Sequence, residues 1–300
     1  MNPALLARMR DSLGRPLLEP INAFAGWLGE RSDAGVVLFY GSNLRSGVLD
    51  GVLDFYVLTD GPRERGIWPR VSYHEWPHDG LILRAKVATM TLATFAAAAR
   101  GETGDTTVWA RFVQPTVLAW ARDEDAGERA AAAVAAAAVT AARFAVALGP
   151  DEGTADDYWR ALFRATYSAE FRIEQAGRAD LVLAADPAHY TSLLPLALAA
   201  GGVPCNAAVG ERLRPALSPA ERTRLLQRWA RLKRLGKPLN VLRLVRATRT
   251  FEGAARYAAW KVERHTGVPV PLTPWVERHP ILAAPGVLWR VWRARRQKTA

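Results

Sequence analysis

The sequence predicts an α+β fold: a mixed sheet with helices over residues 1–125, a mainly helical part over 126–267, and a connector with a basic amphipathic tail over 268–300. Three observations lead to it. Short β-prone runs occupy 36–40 and 53–58, and a third, 81–90, follows the His78-Asp79-Gly80 turn. From Asp125 the apolar spacing changes to a helical period. After Gly267 the chain is punctuated by prolines up to an end rich in tryptophan and arginine.

The helical part divides into an alanine-rich run at 130–147, a segment at 158–176, a leucine-rich stretch at 181–200 and a basic helix at 219–235. The alanine run is long enough to raise the question of a membrane span. Alanine contributes little transfer free energy, Arg143 interrupts the run, and Glu128 and Arg129 precede it, so a buried helix is expected. With 300 residues, half of them hydrophobic, the chain can bury two moderate cores. Forty Lys and Arg against 29 Asp and Glu give a formal charge of +11, which attracts phosphates, nucleic acids or anionic head groups without choosing among them. A single cysteine, Cys205, excludes an internal disulfide and a Cys-cluster zinc site, and fits a structural thiol in a reducing compartment. The first residues lack the apolar core and cleavage site of a secretory signal.

The most informative stretch is 36–60, VVLFYGSNLRSGVLDGVLDFYVLTD. An apolar strand runs into a Gly41-Ser42 turn, and after a loop a second apolar strand carries Asp54. In polymerase-beta-like nucleotidyltransferases a Gly-Ser pair after a strand holds the triphosphate through backbone N–H groups and the hydroxyl, and a carboxylate on the next strand holds magnesium. A carboxylate inside an apolar strand needs a partner, because its burial alone is costly. The usual pattern has two aspartates two residues apart, and here the second position is Tyr56. Asp60 lies six strand residues beyond Asp54, roughly 20 Å away, too far to share its metal. Asp50, in the loop, and Glu75, on the run at 71–76, are the candidates for a second metal ligand.

These residues resemble a particular family, the mitochondrial translocator assembly and maintenance proteins, which are peripheral phosphatidate cytidylyltransferases with bacterial relatives. The resemblance rests on Tyr40-Gly41-Ser42, on Leu53-Asp54-Phe55 and on Asp60. It continues through Val71-Ser72-Tyr73, Arg84-Ala85-Lys86, RFVQP at 111–115, the YSAEFR segment at 167–172, and Leu244-Val245-Arg246 with the basic region at 256–261. The stretch between Asp60 and Val71 is shorter than in mitochondrial members.

The resemblance implies a nucleotidyltransferase domain followed by a helical, winged-helix-like domain, with the active site between them. It implies Mg2+ as cofactor and CTP and phosphatidic acid as substrates. Lys86 and Arg111 would neutralise the CTP phosphates, and Tyr167, Ser168 and Arg172 would face the cleft from the helical side. The lipid substrate stays in a bilayer, so the enzyme must dock there. The segment 287–298, with Trp289, Arg290, Trp292, Arg293, Arg295 and Arg296, has the composition of an interfacial helix for an anionic membrane surface, and packing of its tryptophans on the protein is the alternative. The Ala-, Arg- and Gly-rich composition suggests a bacterium, and hence the cytoplasmic face of the inner membrane. Two rival readings stay open: nucleotide transfer to RNA or another hydroxyl, for which the missing second aspartate is a poor fit and which makes nucleic acid an unlikely partner, and a noncatalytic membrane scaffold.

Overall fold

In the computed structural model, residues 2–169, 177–207, 211–250, 253–278, 286 and 289 are described. Helices α1 (Pro3–Leu13) and α2 (Glu19–Arg31) precede β1 (Ala34–Tyr40), the short α3 (Ser42–Ser46), β2 (Leu53–Thr59), β3 (Arg70–His78) and β4 (Leu81–Thr91). Next come α4 (Leu92–Ala99), α5 (Thr107–Phe112), β5 (Thr116–Ala121), α6 (Glu124–Leu148), α7 (Ala155–Ala169), α8 (Arg178–Ala185) and α9 (Pro187–Ala200). The chain continues with β6 (Cys205–Ala207), β7 (Leu213–Pro215), α10 (Pro219–Thr250), α11 (Ala254–Thr266) and α12 (Pro274–Arg278). The protein is α+β with a mixed five-stranded sheet in the order β3-β4-β2-β1-β5; β2 and β4 run parallel and the other pairs antiparallel.

The sheet is covered on both sides, which explains the near-continuous apolar strands. Leu53, Phe55 and Val57 of β2 turn to Phe24 and Leu28 of α2. The alternate residues Tyr56 and Leu58 turn to Phe95, Phe112 and the alanines of α6. Asp54 shares the face of Tyr56, two residues earlier, where the helical layer leaves an opening at the end of β1 and β2.

Helix α6 is the hub of that layer. The Asp123 carboxylate caps its N-terminus by accepting from Ala126 N at 2.8 Å. Its alanines let α1, α4, α5, α7, α9 and α10 all pack against it. By length and composition it could cross a membrane, but 67% of its apolar window is buried inside the protein. One apolar cluster runs from Leu5 to Leu232, so the change of pattern near 125 marks a change of secondary structure within a continuous core.

Two predicted helices have different limits. The leucine-rich stretch splits at Asp186-Pro187, where the Asp186 side chain accepts from His189 N at 3.1 Å and starts α9. The basic helix passes through Pro238 and ends at Thr250, giving a 32-residue α10. Gly236 marks its crossing over α7: a Cβ there would lie 2.5 Å from the Ala169 carbonyl oxygen.

The far half of α10 returns to the sheet side of the molecule. Arg243 donates to Asp105 Oδ2 at 2.7 Å, to Thr107 Oγ1 at 3.0 Å and to the Trp68 carbonyl at 3.2 Å. Helix α11 then lies against β3, with Tyr257 and Tyr73 ring centroids 5.3 Å apart. Cys205 is half-buried at the start of β6, and burial raises its thiol pKa.

Candidate functional site

Strand register builds the site. Asp54 of β2 stands opposite Tyr40 of β1 on one side and beside Lys86 of β4 on the other, so all three share a face. The chain leaves β1 through Gly41 at φ 98° and enters α3 at Ser42. This conformation belongs to glycine, and the position also has no room: a Cβ would lie 2.9 Å from Asp54 Oδ2. The loop after α3 is tied by Asn43, whose side-chain amide donates to the Val48 and Asp50 carbonyls at 2.9 and 3.2 Å.

These residues open onto a cleft of about 330 Å³. Tyr40, Gly41, Ser42, Asp54 and Lys86 line it from the sheet, Arg111 and Gln114 from α5 and the turn after it, and Tyr167 from α7. Arg45, Thr107, Ala110, Thr166 and Val182 complete the wall among the described residues. Among the described residues three cations, Arg45, Lys86 and Arg111, line the cleft with one carboxylate, Asp54, so its wall carries an excess of positive charge. Lys86 is exposed to this opening rather than enclosed in the strand.

Tyr56 occupies the place of the second aspartate and is fully buried. Its ring packs against Phe112 and Tyr40 at centroid distances of 4.9 and 5.4 Å. Its hydroxyl accepts from Arg111 Nη1 at 2.9 Å, and the guanidinium carbon lies 5.4 Å from the Tyr40 ring centroid. Where a carboxylate would hold a second metal, a phenol holds a guanidinium on the cleft wall.

Not every predicted site residue reaches the cleft. Glu75 stands opposite Arg84, one strand repeat beyond Tyr73 and Lys86. Its carboxylate accepts from the Tyr73 hydroxyl at 2.9 Å and pairs with Arg84 at 3.3 Å, which leaves it outside the cleft lining. Burial, then the Glu75 hydrogen bond, raises the Tyr73 pKa, so the phenol stays protonated and keeps donating. Asp50 is held by Arg264 at 3.2 Å. Asp60, at the far end of β2, pairs with Arg122 at 2.7 Å and Arg129 at 3.3 Å, and these hold its pKa below the usual carboxylate value. Ser168 is exposed and donates to the Ala165 carbonyl at 2.8 Å along its own helix, away from the cleft lining. Arg172 and the tail residues Arg290, Trp292, Arg293, Arg295 and Arg296 lie outside the described residues; Trp289 is exposed.

Arg45 is the cleft cation that sequence reasoning missed. Its signal was available, since a residue three positions after Ser42 on a helix shares its face. One further group, among the described residues, offers metal-ligand atoms within reach of one another: Glu19, His78 and Asp79, at the end of the β3–β4 hairpin beside α2. They line no part of the cleft. No protein-family model matches the chain, and no curated protein matches it.

Proposed function

We propose that this chain is a magnesium-dependent nucleotidyltransferase, a CTP:phosphatidate cytidylyltransferase working at an anionic membrane surface and, in a bacterium, at the cytoplasmic face of the inner membrane. The observation that carries this reading is the meeting of Gly41, Ser42, Asp54, Lys86, Arg111 and Tyr167 around one cleft, from five separate elements and from positions up to 126 residues apart in the chain.

The donor set fits one metal better than two. Mg2+ is commonly held by one or two carboxylates together with substrate phosphates and water, and Asp54 is the one carboxylate lining the cleft among the described residues. Mg2+ bound there would neutralise triphosphate charge and help orient it. The Gly41-Ser42 turn offers backbone N–H groups and a hydroxyl to the same phosphates. Lys86, Arg111 and Arg45 draw two anionic reactants into one space, which is where most of the rate enhancement of phosphoryl chemistry arises.

In the transfer, a phosphate oxygen of phosphatidate attacks the α-phosphorus of CTP in line. The new P–O bond forms as the bond to the bridging oxygen of the β-phosphate breaks, and pyrophosphate leaves with that electron pair. A phosphate monoester, with a second pKa of about 6, is already anionic near neutral pH. The reaction therefore needs no general base, and this suits a site in which Tyr56 replaces the second carboxylate. A sugar hydroxyl must lose its proton, so the same replacement weighs against an RNA acceptor.

The test is to incubate the protein with each of the four nucleoside triphosphates, Mg2+, and either phosphatidate vesicles or RNA, and to assay pyrophosphate and product. CDP-diacylglycerol from CTP supports the proposal. Pyrophosphate only with RNA, or none with any acceptor, refutes it.

A further inference from the structure

A second cavity lies on the other side of α5. Arg111 of that helix faces the cleft, whereas Trp109 is buried and stacks on Phe144 of α6 with centroids 5.1 Å apart. Phe144, Val139 and Leu225 floor a groove of about 380 Å³ between α6 and α10. Three arginines from three elements line it as well: Arg100 after α4, Arg143 on α6 and Arg228 on α10. Arg100 holds Glu102 and Arg143 holds Glu221, while the Arg228 guanidinium lies 6.0 Å from the Phe144 ring centroid. The Nε of Arg143 is buried and has no hydrogen-bond partner among the described residues, so the pairing of this guanidinium with Glu221 leaves one of its donors unmet.

The surface around the groove has the same character. Leu225, Trp229 and Leu232 form the buried side of α10. Arg224, Arg228, Arg231 and Leu235 follow at helical spacing along one flank, all exposed. A nucleic acid would meet the arginines, but its bases bind largely by stacking on exposed rings, and Phe144 and Trp229 are buried here, which leaves Leu235 and the hydrocarbon-floored hollow unmatched. A bilayer of anionic lipids satisfies both, since acyl chains cover apolar side chains and phosphates meet the guanidiniums.

We infer that this groove and the arginine flank of α10 form a docking surface for anionic phospholipid. A lipid phosphate sits among Arg100, Arg143 and Arg228, and the upper part of its acyl chain lies along Val139, Phe144 and Leu225. The inference deepens the proposed membrane-surface reading by naming a contact within the folded body, separate from the tail and from the transfer cleft.

The test uses the full chain without nucleotide, and vesicles of phosphatidylcholine with or without phosphatidylglycerol, which carries the charge without being the proposed substrate. Two variants divide the two contributions: Arg143→Gln/Arg228→Gln removes charge, and Val139→Trp fills the hollow while leaving the charge. Thermal melts identify any variant that is misfolded, in which case the other variant decides. The wild type should partition onto anionic vesicles, the double glutamine variant about tenfold or more weakly, and the tryptophan variant several-fold more weakly. Unchanged partitioning of a folded variant overturns the inference. So does single-stranded RNA displacing the wild type from vesicles, for the surface would then be a nucleic-acid site. Pyrophosphate release with a soluble short-chain phosphatidate reads the transfer reaction separately, so failure of docking and failure of the enzymatic reading are distinguishable.

Discussion

Gly41 and Asp54 face each other across the end of the β1–β2 pair so closely that a methyl group on the glycine would lie 2.9 Å from the aspartate Oδ2. The turn and the carboxylate proposed to hold the triphosphate and its metal are therefore one packed unit. Gly41→Ala puts a side chain at φ 98° and against that oxygen. The expected outcome is a loss of about 1–3 kcal/mol in urea unfolding and of at least about a hundredfold in kcat/KM. Retained activity in a folded G41A protein would separate the turn from the chemistry.

Tyr56 and Arg111 supply the second prediction. The phenol hydroxyl aims the guanidinium at the cleft from 2.9 Å. Tyr56→Phe should cost about 1 kcal/mol of stability and raise the KM for CTP about tenfold with a smaller change in kcat. Arg111→Ala should lose more, because it removes the charge as well as its alignment. Steady-state kinetics on both variants check the order.

The same pair shows what the sequence could tell. Strands β1 and β2 were legible as β-prone apolar runs and β4 from the His78-Asp79-Gly80 turn before it, and Asp54 stood out as the charge inside the second run. Tyr56 read as a missing ligand; its bond to Arg111 depends on α5 docking over the sheet, which no local pattern specifies. Glu75 was misread as a possible ligand for a related reason. The sequence put it on the run at 71–76, but register sets it against Arg84, and register comes from the hairpin turn at Asp79-Gly80. The basic helix runs past its expected end at 235 although Gly236 and Pro238 disfavour helix interiors; packing of α10 on α7 overrides that preference.

The third prediction concerns the tie between α10 and α5. Arg243 and Asp105 form an ion pair at 2.7 Å with side-chain exposures of 19% and 7%. The other Asp105 oxygen accepts from Thr107 N at 2.7 Å, so the pair fixes the start of the helix that carries Arg111. Removing one partner leaves a buried charge, and Arg243→Ala or Asp105→Ala should each cost about 3 kcal/mol by denaturant titration. The double variant should cost less than the sum. Both single variants should also raise the KM for CTP, since α5 loses its anchor.

A fourth prediction is a pH dependence set by His189. Its ring is almost fully buried; Nε2 donates to the Val113 carbonyl at 2.9 Å and Nδ1 faces Arg8 at 3.5 Å. Burial, with the neighbouring Arg8, lowers its pKa from the ordinary histidine value of 6.5. The unfolded chain then binds more protons than the folded one in the window below that value, so stability rises with pH there and is lost as pH falls, with a slope of up to about 1.4 kcal/mol per pH unit. Thermal melts between acid and neutral pH should show the fall below about pH 6.5 in wild type, and a flatter profile in His189→Gln.

The most direct test of the central claim is pyrophosphate release from CTP with phosphatidate and Mg2+, compared between wild type and Asp54→Asn, a change that keeps shape and removes the charge. The account predicts that the wild type releases pyrophosphate with matching CDP-diacylglycerol, that chelating the metal stops it, and that the asparagine variant is at least about a thousandfold slower while folded. Wild-type rates in the Asp54→Asn protein, or turnover unaffected by chelation, would contradict it.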